Sequence, residues 1–112
     1  MAVINKVDSV EKLDALFERS FSEPVVLFKH STRCGISSHV LEMASEIDGE
    51  LNVLVIQENR DLSNEVAART GHTHQSPQAF VLVDGKPVYH GTHYAIDPDA
   101  ITNMLAGSRV KL

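Results

Sequence analysis

One cysteine, Cys34, occurs in the chain, inside the stretch FKHSTRCGISSHV at residues 28–40. A lone thiol cannot close an internal disulfide, so in a reducing compartment it is either a packing residue or a reactive group. Its neighbours Ser31, Thr32, Arg33 and Gly35 are polar and loop-forming, which favours the reactive group. A free cysteine ionises near pH ~8.5, and a helix N-terminus or adjacent cations lower that value. The thiolate is the form that attacks a disulfide. Lys29, His30 and Arg33 lie close by in sequence and can add positive charge. Ser37 stands where a dithiol C-x-x-C protein carries its resolving cysteine. Its hydroxyl can donate a hydrogen bond to a thiolate one helical turn away, but it cannot resolve a mixed disulfide. Gly35 allows close backbone approach.

Other side chains compete for attention. The spacings His72-x-His74 and His90-x-x-His93 suit metal ligation, yet these positions read as loop and strand-end histidines, and no metal is expected. His30 or His74 near the thiol could tune its charge or carry a proton. Arg60 follows a strand and can take a carboxylate bidentately, or sit in a surface salt bridge.

A reactive thiol needs elements that hold it. Residues 25–29, VVLFK, form the short apolar run of a strand buried on both faces. From Cys34 the period changes, and Ile36, Val40, Met43 and Ile47 fall on one helical face. Cys34 therefore sits where a strand ends and a helix begins. Open α/β sheets bind ligands at such ends, and unpaired N–H groups with the positive end of the helix dipole favour an anion there. Upstream, residues 8–19 place Val10, Leu13, Leu16 and Phe17 on one helical face, with Asp8 or Ser9 as cap. Residues 51–57, LNVLVIQ, read as a second strand, and residues 61–70 as a helix ended by Gly71. AFVLV and PVYH flank Asp84-Gly85-Lys86 as a hairpin. Asp97 and Pro98 open a last helix carrying Ile101, Met104 and Leu105, closed by Gly107. Strand, helix, strand requires a crossover, so the first two strands run parallel and the hairpin adds antiparallel strands. The expectation is one α/β domain over residues 1–112, a four-stranded mixed sheet with helices on both faces.

A chain of 112 residues suits one domain. A net charge of −5 with interspersed signs argues against nucleic-acid binding and against an anionic membrane surface. No apolar run approaches a membrane span. The opening MAVINKVDSVEKL lacks signal-peptide architecture, so a cytoplasmic location is expected.

Three stretches, FKHSTRCGIS, VIQENRDLSNEVAARTG and HTHQSPQAFVLVDGK, stand in this order and mark a likeness that runs over roughly residues 10–105. They resemble the thioredoxin-like YtxJ family, the monothiol bacilliredoxins of the bacillithiol system. The resemblance implies a thioredoxin-like fold and a nucleophile at Cys34. It implies a monothiol thiol–disulfide oxidoreductase that takes bacillithiol, or a similar low-molecular-weight thiol, from S-thiolated proteins. Bacillithiol is then a thiol co-substrate, with no bound cofactor and no nucleic-acid or membrane partner. A cis bond at Ser76–Pro77 is implied too, facing the redox loop and offering backbone groups to an extended thiol ligand. Lys29, Arg33 and Arg60 become contacts for the carboxylates of bacillithiol's malate part, beside Gly35. Gly35 departs from the family's usual C-P-I-S. CGIS is also similar to the CGFS of monothiol glutaredoxins, which use glutathione and can carry a shared iron–sulfur cluster. HQSPQAF resembles glutaredoxins less, and Gly91-Thr92 stands where they have Gly-Gly. The alternatives are an iron–sulfur cluster carrier and a thioredoxin-fold binding module with an incidental thiol.

Overall fold

The computed structural model describes residues 1–109. The chain runs β1 (Val3–Lys6), α1 (Val10–Arg19), β2 (Val25–His30), α2 (Gly35–Ala44), β3 (Glu50–Val55), α3 (Arg60–Thr70), β4 (Gln78–Val83), β5 (Lys86–Thr92), a 3-10 turn (His93–Ala95) and α4 (Pro98–Arg109).

Every residue of β2 is buried, as its unbroken apolar run demands. Side-chain alternation divides the strand between two cores. Val25 and Leu27 pack with Leu13 and Leu16 of α1 and Leu62 and Val66 of α3. Val26 and Phe28 pack with Val40 and Ala44 of α2 and Ile101 of α4. Burying each of these large apolar side chains contributes about 1.5–3 kcal/mol. The sheet is thus fixed between two helical layers.

The strand order is β1-β3-β2-β4-β5. β2 and β3 are parallel, with Phe28 opposite Val53. β4 is antiparallel to β2, with Lys29 opposite Gln78, and β5 is antiparallel to β4. The sheet has five strands rather than the four expected. The added strand, β1, pairs parallel to β3. Val3 is 60% and Ile4 51% exposed on this sheet edge, so no alternation of polar and apolar residues announces a strand there.

Three helical details also differ from expectation. In α1, Leu13 and Leu16 are buried but Val10 is exposed. In α2 the buried stripe is Ser37, Val40 and Ala44, while Met43 is exposed. The helix is turned so that Ser37 faces inward, where it has hydrogen-bond partners. α4 continues through Gly107 to Arg109. The hairpin turns on Asp84 and Gly85 as expected, with φ of 53° and 76°, while Lys86, expected in the connection, already belongs to β5.

Gly91 lies where β5 bends into the 3-10 turn. A Cβ there would stand 2.8 Å from Tyr89 Oη and 3.2 Å from the Cα of Ile96. Tyr89 Oη is held in place by the Asp97 N–H at 2.9 Å. Gly91→Ala is therefore expected to destabilise the protein by about 1–3 kcal/mol in urea denaturation. An unchanged midpoint would mean that the turn yields freely.

Candidate functional site

Cys34 is the N-cap of α2, with extended backbone (φ −114°, ψ 116°), and is half-buried. Its carbonyl accepts the first helical bond, from Ser38 N at 3.1 Å. No side chain caps the helix. Ser, Thr, Asp or Asn at this position would consume a first-turn N–H. With cysteine those donors stay available to charge on Sγ or to a ligand.

The segment that delivers Cys34 is tied down by side chains. Gln57, just beyond β3, accepts from Thr32 N at 3.1 Å and donates to Ser31 Oγ at 2.7 Å. Ser31 Oγ also accepts from Arg33 N at 3.3 Å. Ser31 N donates to Ser37 Oγ at 3.0 Å. Gln57 was not among the sequence candidates. An amide side chain carries no catalytic spacing, and only its position just beyond β3, alongside the thiol loop, marks it.

The structure places Ser37 differently from expectation. Its side chain is fully buried, and its hydroxyl lies 2.8 Å from His30 Nδ1. No hydrogen bond joins it to Cys34. Burial lowers the pKa of His30, which keeps the ring neutral at pH 7. A neutral ring protonated on Nε2 lets Ser37 accept from Ser31 and donate to Nδ1.

Lys29 is likewise not where a ligand contact was expected. It is fully buried in the layer beneath α3, with Nζ donating to the Ser63 carbonyl at 3.2 Å. Desolvation pushes its pKa down to about 8. Arg33 and Gly35 flank the thiol and are exposed. A Cβ on Gly35 would meet nothing within 4 Å. Gly35 is the first residue of α2, a position that also accepts proline, so glycine or proline there leaves the helix start intact.

The Ser76–Pro77 peptide bond is cis. Because Lys29 pairs with Gln78, the chain entering β4 lies alongside the chain leaving β2. Pro77 and Ser76 therefore share a sheet end with Cys34. Pro77 is buried, and its carbonyl accepts from His93 N at 3.0 Å. Among the described residues, Ser76 has no backbone partner.

The histidines serve several roles. His74 Nδ1 lies 3.0 Å from Ser63 Oγ. Its pKa is lowered by burial and then by the charges of Lys29 and Arg60. His72 stacks on His90 with centroids 3.8 Å apart. Gln78 is fully buried and donates to His90 Nε2 at 2.9 Å and to the Thr73 carbonyl at 3.1 Å. Burial and His72 lower the pKa of His90. Among the described residues, no group of three or more His, Cys, Asp and Glu side chains could hold a metal.

Charge is unevenly distributed. Lys6, Lys12, Arg19 and Arg69 are paired with carboxylates. Lys29, Arg33 and Arg60 have no ion-pair partner among the described residues. Lys86, in the hairpin at the opposite sheet end, also has none among the described residues, so Arg33 and Arg60 are the exposed-loop and helix-start cations at the thiol end of a chain whose net charge is −5. Among the described residues, no helix is long and apolar enough to cross a membrane.

A single accessible thiol at the first turn of a helix on this sheet defines a thiol oxidoreductase of thioredoxin fold. More particularly, the family model described as monothiol bacilliredoxin BrxC matches residues 5–101, and the chain belongs to that family. It is similar to a solved structure carrying a provisional description as an oxidoreductase with a thioredoxin fold. That match has a TM-score of 0.79 and 30% identity, and covers 90% of this chain and 92% of the other. A thioredoxin of Malassezia sympodialis, Mala s 13, aligns with a TM-score of 0.73 and 12% identity, covering 96% and 92% of the two chains. The Nicotiana alata thioredoxin NaTrxh gives 0.68 and 17%, covering 96% and 93%. At those identities the two thioredoxins speak for the fold alone.

Proposed function

We propose that this protein removes bacillithiol from protein mixed disulfides by monothiol exchange at Cys34. The observation that carries this reading is the lone half-buried thiol at the uncapped start of α2, with Arg33 and Arg60, which have no ion-pair partner among the described residues, at the same sheet end. Family membership supports the choice of small thiol.

In the exchange, the Cys34 thiolate attacks the bacillithiol sulfur of a client mixed disulfide. The Cys34–bacillithiol disulfide forms, the client disulfide breaks, and the client leaves as a thiolate that takes a proton from water. Cys34 becomes oxidised and the client cysteine reduced. Ser37 has no thiol, so the adduct cannot be resolved internally. A second thiol must attack it, releasing the Cys34 thiolate and carrying the oxidation away as a low-molecular-weight disulfide. The unpaired N–H groups of α2 stabilise negative sulfur at both steps. Ser76 offers unpaired backbone groups to the bound thiol. Arg33 and Arg60 attract its carboxylates.

This reading fixes an order of rates. Oxidised bacillithiol is expected to modify Cys34 about tenfold faster than the uncharged disulfide of 2-mercaptoethanol at low salt, with the advantage shrinking as salt screens the cations. Replacing both Arg33 and Arg60 by Ala is expected to remove most of it. Stopped-flow mixing followed by acid quench and intact-mass detection reads these rates. Equal rates with the two disulfides would count against bacillithiol as the preferred thiol.

A further inference from the structure

We propose that Gln57 is a positioning residue for the thiol, and that it sets the rate of disulfide exchange without touching either sulfur. The inference rests on monothiol exchange at Cys34 but not on the identity of the small thiol.

Between the end of β2 and the first turn of α2 stand only Ser31, Thr32, Arg33 and Cys34. Ser31 to Arg33 form no part of a helix or strand. Few interactions could otherwise hold this short link. Thr32 and Arg33 are exposed, and the backbone bond from Cys34 N to the Ser31 carbonyl is long, at 3.4 Å. Gln57 supplies the missing fixation from outside the segment. Its amide uses both ends at once, accepting from Thr32 N and donating to Ser31 Oγ. Ser31 passes the restraint on in both directions. Its hydroxyl takes the Arg33 N–H, and its own N–H meets Ser37 Oγ in the first turn of α2. One side chain anchored at the end of β3 thereby connects the sheet, the link and the helix start. The direction in which Cys34 presents Sγ depends on that link, and exchange requires the three sulfurs to line up. A misplacement of about 1 Å can cost on the order of 100-fold.

Gln57 is also suited to the task by what it lacks. A carboxylate there would repel an anionic sulfur and the carboxylates of a small thiol. A cation would compete for them. A neutral amide fixes the loop and leaves the field of Arg33 and Arg60 unaltered.

The test uses the full chain and a generic probe, oxidised 2-mercaptoethanol, so the outcome does not depend on bacillithiol. Gln57→Met keeps length and volume and removes both hydrogen bonds. The second-order rate of Cys34 modification is expected to fall about tenfold. The Thr32 and Cys34 amide resonances should shift and Thr32 amide exchange accelerate, while Val40 and Ala44 in the same helix are unmoved. Ser31→Ala removes the other partner and should slow the reaction similarly. The double variant should lose less than the product of the two single losses, because the bond between Gln57 and Ser31 is broken by either change and counts once. A Gln57→Met protein with the wild-type rate, or fully multiplicative losses in the double variant, would overturn the proposal. If Gln57→Met fails to fold, Ser31→Ala and the less drastic Gln57→Asn, which falls short of both partners, carry the same test. If Cys34 reacts with no disulfide in any variant, the exchange reading itself has failed, and the wild-type control shows that separately.

Discussion

Cys34→Ser is expected to abolish thiol exchange and leave the fold intact or slightly firmer. A serine hydroxyl stays protonated across the physiological range and forms no disulfide, so transfer should drop by at least about a thousandfold, to the uncatalysed background. The stability side of the prediction comes from local structure. Cys34 occupies an N-cap that makes no side-chain hydrogen bond. Serine is a favoured N-cap residue, and a new bond to a first-turn N–H contributes up to about 1 kcal/mol. The variant should therefore melt at the wild-type temperature or a few degrees above it. Loss of activity with gain of stability would show that cysteine occupies this cap for its chemistry. Residual activity in Cys34→Ser would place the chemistry elsewhere.

The second large effect concerns Lys29. Among the described residues, its fully buried ammonium group has one hydrogen bond, to the Ser63 carbonyl, and no carboxylate partner, which is costly. Its pKa falls to about 8 in the folded chain from an ordinary 10.5. Below pH 8 both folded and unfolded chains hold the proton, and the native state bears the whole cost. Between pH 8 and 10.5 the unfolded chain binds more protons than the native one, so this group makes stability rise with pH. Above that window the lysine is neutral in both states and the cost is gone. Lys29→Met removes the charge and keeps the stem. It is expected to stabilise the protein by about 1–2 kcal/mol at pH 7, with the gain vanishing by pH 10.5. Urea denaturation of both proteins across that range checks it, and a variant less stable at pH 7 would contradict it. The same substitution withdraws one of the two cations that lower the pKa of His74, so the His74 imidazole should titrate higher in the variant.

Much of this was legible in the sequence because it is written in short-range patterns. The run VVLFK gave β2, the change of period gave α2, and their junction located Cys34. Asp84-Gly85 gave the hairpin. β1 was missed because an edge strand of four residues with exposed Val3 and Ile4 has no buried face to reveal it. The orientation of α2 was misjudged because Ser37, a polar residue, takes a core-facing position that Met43 was expected to share. Polar burial of this kind depends on partners, here His30 and Ser31, that only the fold supplies. Lys29 illustrates the same limit. A lysine beside a reactive cysteine in sequence points to the opposite side of a strand from its neighbours Phe28 and His30, and alternation sends it beneath α3. Gln57 lies 23 positions from the thiol and was recognisable only once parallel pairing of β2 and β3 put their ends side by side.

The most direct test mixes equimolar wild-type protein with a client carrying bacillithiol on its single cysteine, quenches in acid, and weighs both chains intact. The expected result is a transfer: the client loses the mass of one bacillithiol and Cys34 gains it, one for one. A client joined covalently to Cys34 with bacillithiol set free, or two unmodified partners after prolonged mixing, would contradict removal of the small thiol by this cysteine.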